Sequence, residues 1–109
     1  MLPRLSTDAE IDAALARLPG WHRVGGSIQC SYRFPEFAGA VHFTQSIAVV
    51  ADEMNHHPEW TVRYRNVDIL SSTHDAGGIT SLDLTLAQRI DALAAEDDGE
   101  SGRSSQIDG

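Results

Sequence analysis

Residues 59–73 read Glu59-Trp-Thr-Val-Arg-Tyr-Arg-Asn-Val-Asp-Ile-Leu-Ser-Ser-Thr73. Trp60, Val62 and Tyr64 alternate with Thr61, Arg63 and Arg65, the period of two that buries one face of a strand. After a short turn near Asn66 the run from Val67 to Thr73 alternates again and is rich in β-branched residues. Two strands joined this closely form an antiparallel hairpin.

A second hairpin lies upstream. Gly25-Gly26 supplies the positive-φ residues of a tight turn after Trp21–Val24, and Ile28, Cys30, Tyr32 and Phe34 then alternate with Gln29, Ser31 and Arg33. Helices separate and flank the hairpins. Thr7-x-x-Glu10 is a capping box followed by Ile11, Leu15 and Leu18 at helical spacing, and Pro19-Gly20 ends that helix. Phe43, Ile47, Val50 and Met54 form one apolar stripe of a second helix, which begins at Pro35-Glu36 and stops before Pro58. Thr80-x-x-Asp83 is a second capping box, followed by Leu82, Leu86, Ile90 and Leu93, and the third helix ends near Ala95. The order α-β-β-α-β-β-α predicts an α+β domain over residues 1–95, a four-stranded antiparallel sheet with three helices packed on one face. Residues 96–109 are acidic, hold only Ile107 to bury, and read as a disordered tail.

Composition removes several function classes. The chain has 109 residues and a formal charge of -8, and half of that excess falls in the last fourteen residues. All eight cationic residues are Arg and are spread along the chain, so no basic patch for phosphate neutralisation is visible and no direct nucleic-acid contact is expected. Without lysine there is no Schiff base and no P-loop lysine. The single cysteine, Cys30, has no intramolecular partner, which fits a reducing compartment. No apolar run is long enough for a signal-peptide core or a membrane span, and the expected location is the cytoplasm. A chain this small gains stability by extending its sheet across a dimer, so a homo-oligomer is expected.

Three of the five histidines are placed for joint work. His56 and His57 sit where the second helix exits, and His74 ends the fourth strand before the Gly77-Gly78 loop, where a pocket can form. His22 and His42, taken singly, read as satisfied or surface residues. Asp83 has two readings: as the third residue of its helix it returns a hydrogen bond to the cap, and its carboxylate can also hold a histidine in one tautomer. Three histidines and an aspartate invite a zinc site, but adjacent histidines chelate one ion poorly and no His-Glu-x-x-His motif is present, so no metal is expected. Trp21, after Pro-Gly, is an aromatic that could lie against a flat heterocycle.

The run Asp52-x-x-x-His56-His57-Pro58, then Tyr64, then Thr73-His74-x-x-Gly77-Gly78-x-Thr80-x-x-Asp83 resembles the signature of the pterin-4a-carbinolamine dehydratase family, and the wider pattern resembles it from about residue 5 to 95. The resemblance implies the same α-β-β-α-β-β-α order, a homodimer or homotetramer, and no metal or organic cofactor. It implies catalytic roles for His56, His57 and His74 with Asp83 in support. It also implies a pterin pocket floored by Trp21 and lined by Asp52, Asn55, Pro58, Ser72 and Thr73. Asp52 stands where relatives often carry Glu, and Asn55 where some carry Asp.

The chemistry suits the residues. Loss of water from a 4a-hydroxytetrahydropterin needs one proton delivered to the departing oxygen and one removed from nitrogen, and imidazole is available in both forms near neutrality. One ring of the His56/His74 pair is expected to protonate the hydroxyl while its partner, or His57, accepts the nitrogen proton. The competing expectation is a non-catalytic relative, a dimeric binding or assembly partner of another protein, whose mark would be decay of the histidine motif.

Overall fold

The structure, a computed structural model, describes residues 3–102. Strand β1 (His22–Val24) pairs antiparallel with β2 (Ser27–Arg33), β2 pairs with β4 (Asn66–Ser71), and β4 with β3 (Glu59–Arg63), giving the order β1-β2-β4-β3. Alternation sends Ile28, Cys30 and Tyr32 of β2 and Val67, Ile69 and Ser71 of β4 to the buried face. The helices α1 (Asp8–Leu15), α2 (Phe37–Met54) and α3 (Ser81–Glu96) cover that face, contributing Ile11, the stripe Phe43, Ile47 and Val50, and the stripe Leu86 and Ile90. The other face is polar. There Ser31 Oγ donates to Asp68 Oδ1 at 2.6 Å and Arg63 Nη2 donates to Asp68 Oδ2 at 2.6 Å, tying three strands together across the sheet.

Both hairpins close with two-residue loops whose first residue has positive φ, Gly25 at 60° and Tyr64 at 54°. Tyr64 therefore leaves the strand rather than continuing its alternation, and the register Arg63↔Asn66 follows. The first capping box forms as expected: Thr7 Oγ1 accepts from the Glu10 N–H, and Glu10 Oε1 accepts from the Thr7 N–H. Helix α1 ends at Leu15, sooner than its apolar spacing predicts, because the N–H groups of Arg17 and Leu18 bond back only three residues, to Ala14 and Leu15. Pro19 bars Leu18 from the helical region. Leu18 is nevertheless buried in the turn.

The tail departs from expectation. Residues Glu100–Gly102 form a fifth strand, β5, antiparallel to β2 with Ser31↔Gly102 and Arg33↔Glu100, so the sheet has five strands rather than four and the tail is ordered this far. The cause lies in the chain reversal after α3. Asp98 sits at φ 61°, its N–H bonds Ala95 O at 3.2 Å, and the Gly99 N–H bonds Ala94 O at 2.8 Å, a Schellman turn with Asp rather than Gly at the left-handed position. Gly99 then passes against Phe34, where a Cβ would lie 2.4 Å from Cε2, and Gly20 leaves the room that Ser101 occupies. The rest of the tail, 103–109, lies outside the described residues.

Candidate active site

Helix α2 ends in the same kind of reversal. Asn55 adopts φ 52°, its N–H bonds Asp52 O at 3.2 Å and the His56 N–H bonds Ala51 O at 3.0 Å. Asn tolerates this left-handed position better than most residues. The turn separates the two histidines. His56 goes inward, 8% exposed, while His57 stays at the surface with Nε2 2.9 Å from Oδ1 of the exposed Asp52. Pro58, half-buried, leads into β3.

Inside, His56 meets Asp83. Asp83 is fully buried and stands in the first turn of α3, where Thr80 caps the helix: Thr80 Oγ1 accepts from the Leu82 N–H at 3.2 Å and Asp83 Oδ2 accepts from the Thr80 N–H at 2.9 Å. The same carboxylate serves the histidine, so the two readings of Asp83 hold together. Oδ1 lies 2.6 Å from His56 Nε2 and accepts from Ser71 Oγ at 2.6 Å, while Oδ2 also accepts from Thr73 Oγ1 at 2.8 Å. Three fixed donors, Ser71, Thr73 and the Thr80 N–H, converge on this carboxylate, an environment that suits its acceptor-only ionised form. Against an ionised carboxylate His56 Nε2 is the donor, and Nδ1 is then the ring atom left to accept. Thr73 spends its only hydroxyl proton on Asp83, so in its 2.7 Å contact with Thr80 Oγ1 the Thr80 hydroxyl is the donor. A continuous relay runs from the Leu82 N–H through both threonines to the carboxylate.

His74 follows Thr73 directly and opens a 3₁₀ turn, His74–Ala76, closed by Gly77 at φ 81°. The turn is pinned by the Thr73 N–H on Gly78 O at 2.8 Å. Its ring is exposed and has no hydrogen-bond partner among the described residues. The structure thus joins His56, Asp83 and Thr73 in one network, ties His57 to Asp52 at the surface, and hangs His74 on the segment that carries Thr73. Among the described residues, no three His, Cys, Asp or Glu side chains are grouped to hold a metal ion.

Trp21 does not fit its expected place. It is 3% exposed, its indole N–H donates to Tyr32 Oη at 2.9 Å, and Tyr32 in turn donates to Asp91 at 2.7 Å. Burial raises the Tyr32 hydroxyl well above the usual phenol range. Within this chain Trp21 is a core residue, with no ring face open to a ligand. Thr73 is likewise buried and spent on Asp83, whereas Ser72, half-buried, lies on the other parity of the strand. His42 pairs with Asp97 at 2.9 Å, and the buried Nδ1 of His22 has no partner among the described residues.

Thr80, expected as a helix cap, is also a member of the network, and Ser71 is a member that was not expected. Ser71 carried a signal: it is a polar residue at a core-facing position of the alternating run Val67, Ile69, Ser71, 2% exposed, and a buried hydroxyl demands a partner.

Comparison with known proteins gives the family. Residues 4–93 match the family model described as pterin 4 alpha carbinolamine dehydratase. A Bradyrhizobium protein provisionally named a pterin-4-alpha-carbinolamine dehydratase is 47% identical over 97 residues, spanning 87% of this chain and 97% of its own length. A Burkholderia multivorans protein with the same provisional name is 50% identical over 91 residues, spanning 82% and 89%. The crystal structure of a transcriptional coactivator/pterin dehydratase from Brucella melitensis matches with a TM-score of 0.80 at 35% identity, over 84% of this chain and 99% of that one. A pterin dehydratase-like protein identified as a RuBisCO assembly factor in the alpha-carboxysome matches with a TM-score of 0.57 at 21% identity, over 68% and 86%, and so shares the fold alone. The chain, matched over 90 consecutive residues that include every member of the His56–Asp83 network, belongs to the pterin 4 alpha carbinolamine dehydratase family.

Proposed function

We propose that this chain dehydrates a 4a-hydroxytetrahydropterin to the quinonoid dihydropterin by histidine acid–base catalysis, without metal or organic cofactor, in the recycling of tetrahydrobiopterin. Family membership supports the substrate class. The observation that carries the chemistry is the buried His56–Asp83 pair at 2.6 Å.

Asp83 fixes the tautomer, so His56 Nδ1 accepts the proton from N5 of the pterin, and the imidazolium that forms is balanced by the carboxylate behind it, as in other Asp–His pairs. The C4a–oxygen bond breaks as the hydroxyl takes a proton from His74, whose exposed ring has no competing partner among the described residues. One C4a–N5 double bond and one water result. Each proton transfer contributes about 10²–10⁴-fold, enough for a reaction that already proceeds without a catalyst. His57, held by Asp52, contacts the pterin edge together with Asn55, Pro58 and Ser72. The active form is a cytoplasmic homodimer or homotetramer, a reading supported by the open backbone edge of β3.

The test is the rate of loss of chemically generated 4a-hydroxytetrahydropterin, followed by ultraviolet absorbance in the presence of a chelator. Acceleration by wild type and not by the His56→Ala/His74→Ala variant is expected. No acceleration by wild type would overturn the proposal and point to a dimeric binding partner of another protein.

A further inference from the structure

Ser71 interrupts the apolar row of β4. Val67 and Ile69, the preceding members of that row, are fully buried, and Ile28, directly across the sheet from Ser71, is fully buried too. A serine in such a row leaves its hydroxyl out of water, which destabilises the fold unless a partner is found. Its partner is Asp83 Oδ1 at 2.6 Å, the same oxygen that receives His56 Nε2. The other three groups on this carboxylate have different duties: Thr80 N–H belongs to the helix cap, Thr73 to the relay, and His56 is the ring itself.

We infer that Ser71 is a positioning residue for the proposed dehydration, holding Asp83 Oδ1 from the sheet side so that His56 keeps one tautomer while its protonated form is not bound too tightly. An oxygen that already accepts a hydroxyl proton is a weaker acceptor for a second donor. With Ser71 in place, Oδ1 shares its negative charge between the serine and the imidazole, and the ring releases its proton again after each turnover. Without it, Oδ1 turns wholly to the ring and stabilises the imidazolium further.

Among the described residues, the charged groups nearby are engaged elsewhere. Of the charged groups on the elements packed around His56, Asp52 of α2 is engaged by His57 and Glu53 of α2 by Arg89 of α3. His74 lies on the turn beyond Thr73 with an exposed ring. β4 contributes only Ser71 to the carboxylate, with Thr73 just beyond its end.

This inference rests on the proposed dehydration for its purpose but not for its readout. The ring nitrogens of His56 are followed by ¹⁵N NMR against pH in wild type, Ser71→Ala, Ser71→Cys and Ser71→Thr. Cysteine keeps nearly the volume with a much weaker donor, and guards against a packing defect in the alanine variant. Ser71→Ala and Ser71→Cys are expected to move the midpoint of the His56 transition to higher pH, a three- to tenfold gain in proton affinity, with the wild-type midpoint restored in Ser71→Thr. In turnover, kcat at neutral pH falls by a similar factor while KM holds, and the acid limb of the kcat profile moves with the NMR midpoint. An unchanged midpoint in both Ala and Cys variants would overturn the inference. A shifted midpoint in a chain whose wild type does not dehydrate the pterin would sustain Ser71 as the tuner of His56 and remove only the dehydration.

Discussion

The Nε2 atom of His56 lies 2.6 Å from Oδ1 of Asp83, across the junction between the C-terminal turn of α2 and the first turn of α3. One carboxylate thereby closes a helix cap and holds the ring proposed to act as the base. Under the proposed dehydration, folding stability and acid–base chemistry are coupled through this single side chain, and substitutions there should show in both.

Asp83→Asn tests this coupling. The amide must present its NH₂ either to His56 and Ser71 or to Thr73 and the Thr80 N–H, and each donor it faces loses its acceptor, at about 1–3 kcal/mol for every group left unpaired. A lowered Tm is expected, together with a fall in kcat of about 10²-fold or more, the scale of one acid–base step, with KM moving less. Thermal melts and steady-state kinetics on the same preparation check both. A normal kcat in a chain with lowered Tm would make Asp83 a cap alone.

Asn55 separates a backbone role from a binding role. Its left-handed conformation, φ 52°, costs an ordinary L-residue roughly 1–2 kcal/mol and glycine almost nothing. Asn55→Gly should retain both stability and activity, while Asn55→Ala loses stability by about that amount and weakens kcat by loosening the exit that aims His56. If Asn55→Gly instead raises KM, its amide touches the substrate.

How much of this could be read beforehand is uneven, for physical reasons. The helices and the two hairpins follow from period and capping, signals local in sequence, and so does the seat of Asp83 three residues after Thr80. That Asp83 meets His56, 27 residues away, is a tertiary fact; spacing permitted it without requiring it. Trp21 could be read as core or as pocket, and only the Tyr32 hydroxyl beneath its indole decides for the core. Ser71 was legible as a polar break in an apolar row, whereas its neighbour Ser72 entered only through the family resemblance. The fifth strand was hidden because its helix stop uses Asp98 where a glycine would have announced the turn, and because acidic composition outweighs three residues of strand.

Alkaline pH should weaken the fold through Cys30. Burial pushes its thiol up to about 12, whereas in the unfolded chain a thiol ionises near ~8.5. The unfolded state therefore loses this proton first, and stability that is fully present below the unfolded value drains away as pH rises from there towards 12. Tyr32, raised by burial in the same direction, adds to the loss above the ordinary phenol range. Denaturant midpoints measured from neutral to strongly alkaline pH should fall across this window, and Cys30→Ala should flatten the first part of the decline. A midpoint equally steep in that variant would assign the whole effect to Tyr32.

The fifth strand shields the same thiol. Cys30 Sγ lies behind Gly20, where an added Cβ would sit 3.2 Å from the sulfur and 2.6 Å from Ser101 of β5, so the strand and the glycine together close that side of the core. Gly99 is the point at which this closure can be broken without touching the histidine site. Gly99→Ala drives a methyl into the Phe34 ring, 2.4 Å from Cε2, and β5 can relieve the clash only by lifting off β2. Cys30 in the full chain should be inert to an aromatic disulfide reagent at pH 8 and should react in Gly99→Ala and in a chain truncated after Asp98, while turnover at the His56–Asp83 pair is kept. Equal thiol protection in all three chains would mean that the elements from α1 to α3 seal the core without β5, leaving the strand as an edge cover for β2 and nothing more.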